Sequence, residues 1–219
     1  DFISSFKFIL FSKRLRSLFL YSGISWGTFC LISKYRSSLL VDIGTGAQIM
    51  TIVSAILNVA SSLGSKRQLE FNKKFKNKSL SIILILVTIS ILISGIIGLL
   101  NVPYIIALSV IIICFVVINA VKGMSLVLTT RYLGNFSDEK ILTQIYAANA
   151  MMKNLLRAII AFLGSRLLDT TSTANSMIVV GICLSAISIS LIIYMKNRLG
   201  LNPDDYDKDE IYNKGDVEV

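Results

Sequence analysis

The sequence predicts an all-helical membrane protein of six spans. Hydrophobic residues make up 54% of its 219 positions and the mean hydropathy is +0.71, well above the level of a soluble domain. The apolar residues gather into six runs, each near the ~20 residues a helix needs to cross the hydrocarbon core. Most of the charge sits between these runs. Lipid offers the backbone no hydrogen-bond partner, so the runs must be helices, and their uninterrupted length excludes a β-barrel.

The elements follow in order. Residues 1–14 mix aromatics with Lys7, Lys13 and Arg14. They read either as an amphipathic helix on the inner membrane surface or as the basic flank of the first span. The bundle is expected over 15–196, with spans at about 15–31, 43–63, 80–100, 103–128, 141–163 and 174–195. Asp42 is expected to cap span two and Asp138 span five, and Pro103 falls in the first turn of span four. The stretch DIGTG at 42–46 superficially invites an aspartyl or glycine-rich reading, but its place at a helix start favours an N-cap and a turn. Residues 197–219 form a tail, expected to be disordered, in which positions 204–219 hold seven acids against two lysines.

Loop charge sets the expected orientation. Lys7, Lys13, Arg14 and Arg16 precede span one, and Lys66, Arg67, Lys73, Lys74, Lys76 and Lys78 lie between spans two and three. Arg131 and Lys140 lie between spans four and five, and Lys196 and Arg198 follow span six. The alternate loops hold only Lys34, Arg36 and Arg166. By the positive-inside rule, both termini are cytoplasmic in a multi-pass protein of the plasma membrane. Triplets of the N-glycosylation type at Asn77 and Asn135 then fall on the cytoplasmic side and stay unmodified. The net charge of +9 reflects bases that meet anionic head groups, so no nucleic-acid partner is needed to explain it.

Polar groups within the spans are unevenly placed. Spans three and six carry little beyond Ser, Thr and Gly, whereas the other four carry polar stripes at helical spacing. Span five aligns Tyr146, Asn149, Lys153, Arg157 and Gly164. Span four offers Asn119, Lys122 and Gly123; span one offers Tyr21, Ser22, Ser25, Trp26 and Ser33; and span two offers Gln48, Thr51, Ser54, Asn58 and Ser61. A cation facing lipid near a helix centre costs ~2.5–3.5 kcal/mol on insertion scales. Lys153 and Arg157 are therefore expected to face water or an acidic partner, and no Asp or Glu lies near the middle of any span. One reading makes these stripes a solute pathway. The other makes each Ser, Thr or Asn a bond between helices, worth under ~1 kcal/mol on average. A gate or an ion pair with another part of the protein would use the two cations equally well.

Several activities find no support. The chain has no histidine, which removes the base of a serine-type intramembrane protease. It also lacks the paired buried carboxylates of an aspartyl one. Cys30, Cys114 and Cys183 all fall inside apolar runs, as packing residues do and disulfide or metal frameworks do not. No enzymatic activity, cofactor or metal is expected. The short loops also argue against the membrane domain of an ATP-driven pump.

The six-span pattern with two plain spans resembles the C-terminal half of a major facilitator superfamily transporter. That family often carries G-x-x-x-D-[RK]-x-G-[RK]-[RK] in the loop after the second span of a half. Here QLEFNKKFKNK at 68–78 keeps the bases Lys73, Lys74, Lys76 and Lys78, with Asn72 in place of the Asp and Gln68 and Phe75 in place of glycines. The ending YMKNRLGLNPDDY at 194–206 is similar to the tail of certain low-GC bacterial members.

The resemblance implies two inverted three-helix repeats, with the first, second, fourth and fifth helices nearest a midplane pathway. It implies transport of a small polar solute by alternating access against an N-terminal six-helix half upstream of Asp1. The solute would be an anion if Lys153 and Arg157 meet it. The pathway candidates are Lys153, Arg157, Asn149, Tyr146, Lys122, Asn119, Asn58, Gln48, Ser25 and Trp26. The alternative is a non-transporting scaffold or sensor, or an inactive transporter half, embedded in the same bilayer.

Overall fold

A computed structural model of the protein describes residues 13–75, 78–100, 102–135 and 142–196. They form six helices: α1 Lys13–Asp42, α2 Ala47–Phe75, α3 Ser79–Leu99, α4 Tyr104–Asn135, α5 Leu142–Thr170 and α6 Thr173–Lys196. The expectations for the segment before Lys13, Lys76 and Asn77, the cap at Asp138, Lys140 and the tail 197–219 lie outside the described residues.

Each predicted span corresponds to one helix, although span two was placed from 43 and its helix starts only at Ala47, and several helices run past their apolar run. α2 continues to Phe75 and α4 to Asn135, because Lys, Arg, Gln, Glu and Leu sustain a helix as it leaves the hydrocarbon. Five helices are long and apolar enough to cross a membrane: α1, α2, α3, α4 and α6. The chain is accordingly a multi-pass membrane protein by helix length and composition. α5 has the length, at 29 residues, but Lys153, Arg157 and Arg166 make it too polar to qualify on composition.

Asp42 does not cap span two. It is the last residue of α1 and α2 starts at Ala47. The amide of Gly44 donates to Val41 O at 2.8 Å and that of Thr45 to Leu40 O at 2.9 Å. This is a Schellman ending, with Gly44 at φ 82°, a conformation glycine adopts without steric cost. Pro103 fulfils its expected role, since its carbonyl accepts from the amides of Ile106 and Ala107.

The helices pair selectively. α1 lies along α5, α2 along α4, and α3 along α6, with lesser contacts of α4 to α3 and of α1 to α4 and α6. Glycines set the closest approaches. Gly23 and Gly27 of α1 face Leu156 and Ile160 of α5, while Gly164 of α5 faces Leu31. Gly64 of α2 abuts the Ala120 carbonyl and Gly123 of α4 abuts the Ser61 carbonyl, so backbones touch where no Cβ intervenes. Gly95 and Gly98 of α3 face Ala174, and Gly181 of α6 faces Leu92.

These contacts fix directions as well. α1 runs parallel to α5, while α3 and α6 are antiparallel; both agree with an alternating up-and-down chain. α1 is the most enclosed helix, contributing Leu15, Leu18, Tyr21, Tyr35, Leu39 and Leu40 to the core. The outer surface is apolar, with Ile85, Ile89 and Ile93 on α3, Ile105 and Ile113 on α4, and Ile182, Ile189 and Ile193 on α6 all exposed. So much exposed aliphatic surface is a liability in water and the normal covering of a lipid-facing helix.

Candidate functional site

A small polar niche opens near the middle of the bundle, where α1, α4 and α5 meet. Ser22, Ser25, Trp26 and Phe29 of α1 line it with Ser125, Leu126 and Thr129 of α4 and Lys153 of α5. Its cavity volume is about 10 Å3, room for roughly one water. Helical spacing delivers the residues: Ser22, Ser25, Trp26 and Phe29 share one face of α1, as Ser125 and Thr129 share one face of α4. Lys122, a turn before Ser125, places its ammonium 5.6 Å from the centroid of the Trp26 ring, within cation–π range.

Hydrogen bonds tie the niche together. Ser22 donates to Asn149 Oδ1 at 2.5 Å, joining α1 to α5, and the hydroxyls of Tyr21 and Ser125 lie 3.2 Å apart, joining α1 to α4. Thr129 donates to the Ser125 carbonyl at 2.7 Å. Asn149 is only 5% exposed and stands behind the niche, holding Ser22 of its lining in place. Ser25 Oγ neighbours the Tyr21 hydroxyl, yet it is enclosed and makes no bond of good geometry. An enclosed hydroxyl of this kind is a ready partner for a water or a polar solute.

A wider face surrounds the niche. The contacts order the helices across it as α2, α4, α1, α5. On α2 the exposed positions divide into two sectors. Gln48, Thr51, Ala55, Asn58 and Ser62 form a polar strip, and Ile52, Ile56, Val59 and Leu63 form an apolar strip beside it. α5 divides likewise, with Arg157, Ala158 and Ser165 exposed on one side and Leu155, Ile159, Phe162 and Leu163 on the other. The described acids are Asp42, Glu70 and Asp169, all toward helix ends. The mid-span charge on this face is thus carried by Lys122, Lys153 and Arg157, and it is positive.

The sequence-predicted residues divide accordingly. Ser25, Trp26, Lys153 and Asn149 converge on the niche, with Lys122 beside it. Arg157 is exposed on the same helix face as Lys153, and its backbone lies against Gly27. Asn58 and Gln48 belong to the exposed strip of α2 and are not in the niche. Asn119 is half-buried and its amide donates to Phe115 O at 2.9 Å, within its own helix. Tyr146 bridges the ends of α4 and α5 by donating to Thr130 O at 3.3 Å.

The motif-like loop plays a local structural part. Asn72 is buried and accepts from Ser79 Oγ at 3.0 Å, clamping the end of α2 to the start of α3. Lys73, Lys74 and Lys78 are exposed, with the Lys74 ammonium 5.6 Å from the Phe75 ring centroid; Lys76 lies outside the described residues. Gln68 is buried with its Oε1 unpartnered.

Sequence reasoning passed over Ser125 and Thr129. They lie three and seven residues after Lys122, so extending that stripe by two turns would have found them. It also passed over Tyr35, which donates to Gly164 O at 2.7 Å and locks α1 to α5. Among the described residues no three of His, Cys, Asp and Glu gather as a metal site would require, and the three cysteine thiols are unpaired.

No protein-family model matches the chain, nor does any curated protein or solved structure at a level that establishes kinship. The class defined by the fold is therefore the coarse one, a six-helix multi-pass membrane protein.

Proposed function

We propose that this chain is one six-helix half of a secondary-active carrier of the major facilitator type, moving a small polar solute, most readily an anion, by alternating access. The observation that carries this reading is the pattern of helix pairing. Exchanging α1 with α4, α2 with α5 and α3 with α6 turns the α1–α5 contact into α4–α2 and the α1–α6 contact into α4–α3. The α3–α6 and α1–α4 contacts exchange with themselves. Two three-helix repeats would produce such a map.

The polar face supports the same reading. Strips on α2 and α5, related by that exchange, flank the niche between α1 and α4, and together they offer a surface to a second, N-terminal half. The three cations without an acid at their level favour an anionic solute over a cationic one. In this reading α5 spans the membrane because its polar side is turned from lipid, and the ends rich in Lys and Arg are cytoplasmic. The mechanism needs no covalent chemistry, so the reading is a carrier and not an enzyme.

Counterflow in proteoliposomes of the native polypeptide tests the proposal, using labelled monocarboxylates, dicarboxylates and phosphate monoesters beside neutral sugars and amines. Accumulation of an anion, lost in the Lys153→Gln, Arg157→Gln double variant, is the expected result. Flux of an anion that ignores both substitutions overturns the anion assignment. Inserted, folded protein that moves none of the solutes favours the scaffold reading.

A further inference from the structure

On the side of α1 away from the niche, α5 and α6 diverge. They make few contacts, and at their junction the Thr171 and Ser176 hydroxyls lie 2.7 Å apart. The divergence leaves a groove of about 390 Å3 floored by α1 and walled by residues such as Leu156, Leu163, Val180 and Leu184. A second hollow of about 410 Å3 continues it, sharing Ile24 and Ile187 and ending at Tyr194. Each volume lies within the ~300–1,000 Å3 typical of small-ligand sites.

Three features identify the occupant. First, the groove is lined almost wholly by aliphatic side chains, with the Thr28 hydroxyl and the Cys183 thiol as its polar exceptions. The Gly164 carbonyl already accepts from Tyr35, and the Ser190 hydroxyl already donates to Ala186 O at 2.9 Å. An alkyl chain is the matching chemistry. Second, the dimensions fit one leaflet. From Val180 to Tyr194 the groove follows α6 for about 21 Å at 1.5 Å per residue, against ~15 Å for half of a ~30 Å hydrocarbon core. Third, the end at Tyr194 carries a positive group. Arg16 is exposed and its Nε donates to the Tyr194 hydroxyl at 3.0 Å, which holds the guanidinium at the groove mouth with its remaining N–H groups available to an anion. Leu163, 61% exposed, and Ile187, 44% exposed, flank the opening, so the groove is reached from the lipid side.

We propose that this groove is a site for one anionic phospholipid, its acyl chain lying between α5 and α6 over α1 and its phosphate meeting Arg16. The site is independent of the solute pathway, since the niche lies on the opposite side of α1. The lipid would fill the wedge between two helices that scarcely pack against each other and so stiffen the α1–α5–α6 side of the bundle.

Native mass spectrometry of the delipidated protein in detergent tests this, with dioleoyl phosphatidylglycerol and dioleoyl phosphatidylcholine added separately. One phosphatidylglycerol should be retained roughly fivefold more readily than phosphatidylcholine: both carry the phosphate, but choline offsets its charge, and the attraction of one Arg to a net anionic head group is worth ~1 kcal/mol. Arg16→Gln should equalise the two lipids. Ala186→Phe, at an exposed groove position, should abolish retention of either while circular dichroism and elution volume stay unchanged. Ser190→Phe serves the same purpose should the first variant fold poorly. Equal retention of the two lipids by the unaltered protein overturns the proposal. So does retention that survives both groove-filling variants.

Discussion

Lys122 holds its ammonium 5.6 Å from the centroid of the Trp26 ring, near the middle of α4 and of α1. This is the one place where a cation, an aromatic face and the polar niche coincide, because Trp26 also lines the niche beside Lys153. Trp26 is the only tryptophan in the chain, so its fluorescence is a native reporter of the site.

The first prediction uses that reporter. Iodide should quench Trp26 more efficiently than neutral acrylamide does, because Lys122 and Lys153 raise the local anion concentration. Lys122→Met should reverse the order, and added inert salt should weaken iodide quenching in the unaltered protein as screening shortens the reach of the charges. Stern–Volmer slopes at low and moderate ionic strength check this. Equal iodide slopes for the two proteins would remove Lys122 from the site.

The bond between Ser22 and Asn149 should contribute only modestly to stability. Ser22 Oγ has a second acceptor in Phe19 O at 3.2 Å, so losing Asn149 does not leave the hydroxyl orphaned. Ser22→Ala, Asn149→Ala and the double variant should give a coupling of about 0.6 kcal/mol, the average for interhelical bonds in membrane proteins, and at most about 1.7 kcal/mol. Reversible unfolding in mixed micelles measures it. A coupling near zero would mean the two side chains act separately.

Lys153 and Arg157 should behave differently although both are cations on one face of α5. Lys153 lines the niche, where a charged hydrogen bond contributes ~1.5–3 kcal/mol; Lys153→Gln should weaken anion uptake at least about tenfold. Arg157 is exposed; in the proposed carrier it would act as a charge at a distance, so Arg157→Lys should preserve uptake and Arg157→Gln should lower it in a salt-dependent way. Concentration dependence of uptake in proteoliposomes separates the two. Loss of uptake in Arg157→Lys would show that the planar guanidinium itself is needed.

Much of this fold was legible in the sequence. Apolar run length located all six helices, and helical periodicity put Asn149 and Lys153 on one face of span five and Ser25 and Trp26 on one face of span one, faces that the structure then brings together. Periodicity says which residues share a face and nothing about what opposes it. Hence Asn58 and Asn119, equal in kind on paper, separate into an exposed strip and a self-satisfied amide. Asp42 misled for a local reason: an Asp before an apolar run resembles a cap, but Gly44 two residues on ends the preceding helix instead. Pairing of α2 with α4 was invisible as well, because Gly64 and Gly123 mark a close approach only once their partners are known.

That close approach carries the last prediction. A Cβ built on Gly64 would run into the Ala120 carbonyl, and one on Gly123 into the Ser61 carbonyl. Both obstacles are backbone atoms, so no rotamer change can relieve them; α2 and α4 must move apart as rigid cylinders, and a well-packed contact resists such overpacking by ~1–3 kcal/mol. Gly64→Ala and Gly123→Ala should each destabilise by about that much, and together by less than the sum, because the first separation makes room for the second Cβ. Gly46→Ala is the control: nothing lies within 4 Å of its would-be Cβ and its φ is not positive, so its effect should stay within about 0.5 kcal/mol. Thermal unfolding in detergent, followed by elution of intact protein, reads all four variants. Additive losses for the pair would mean that the two glycines relieve separate contacts and that α2 and α4 can bend locally where they meet.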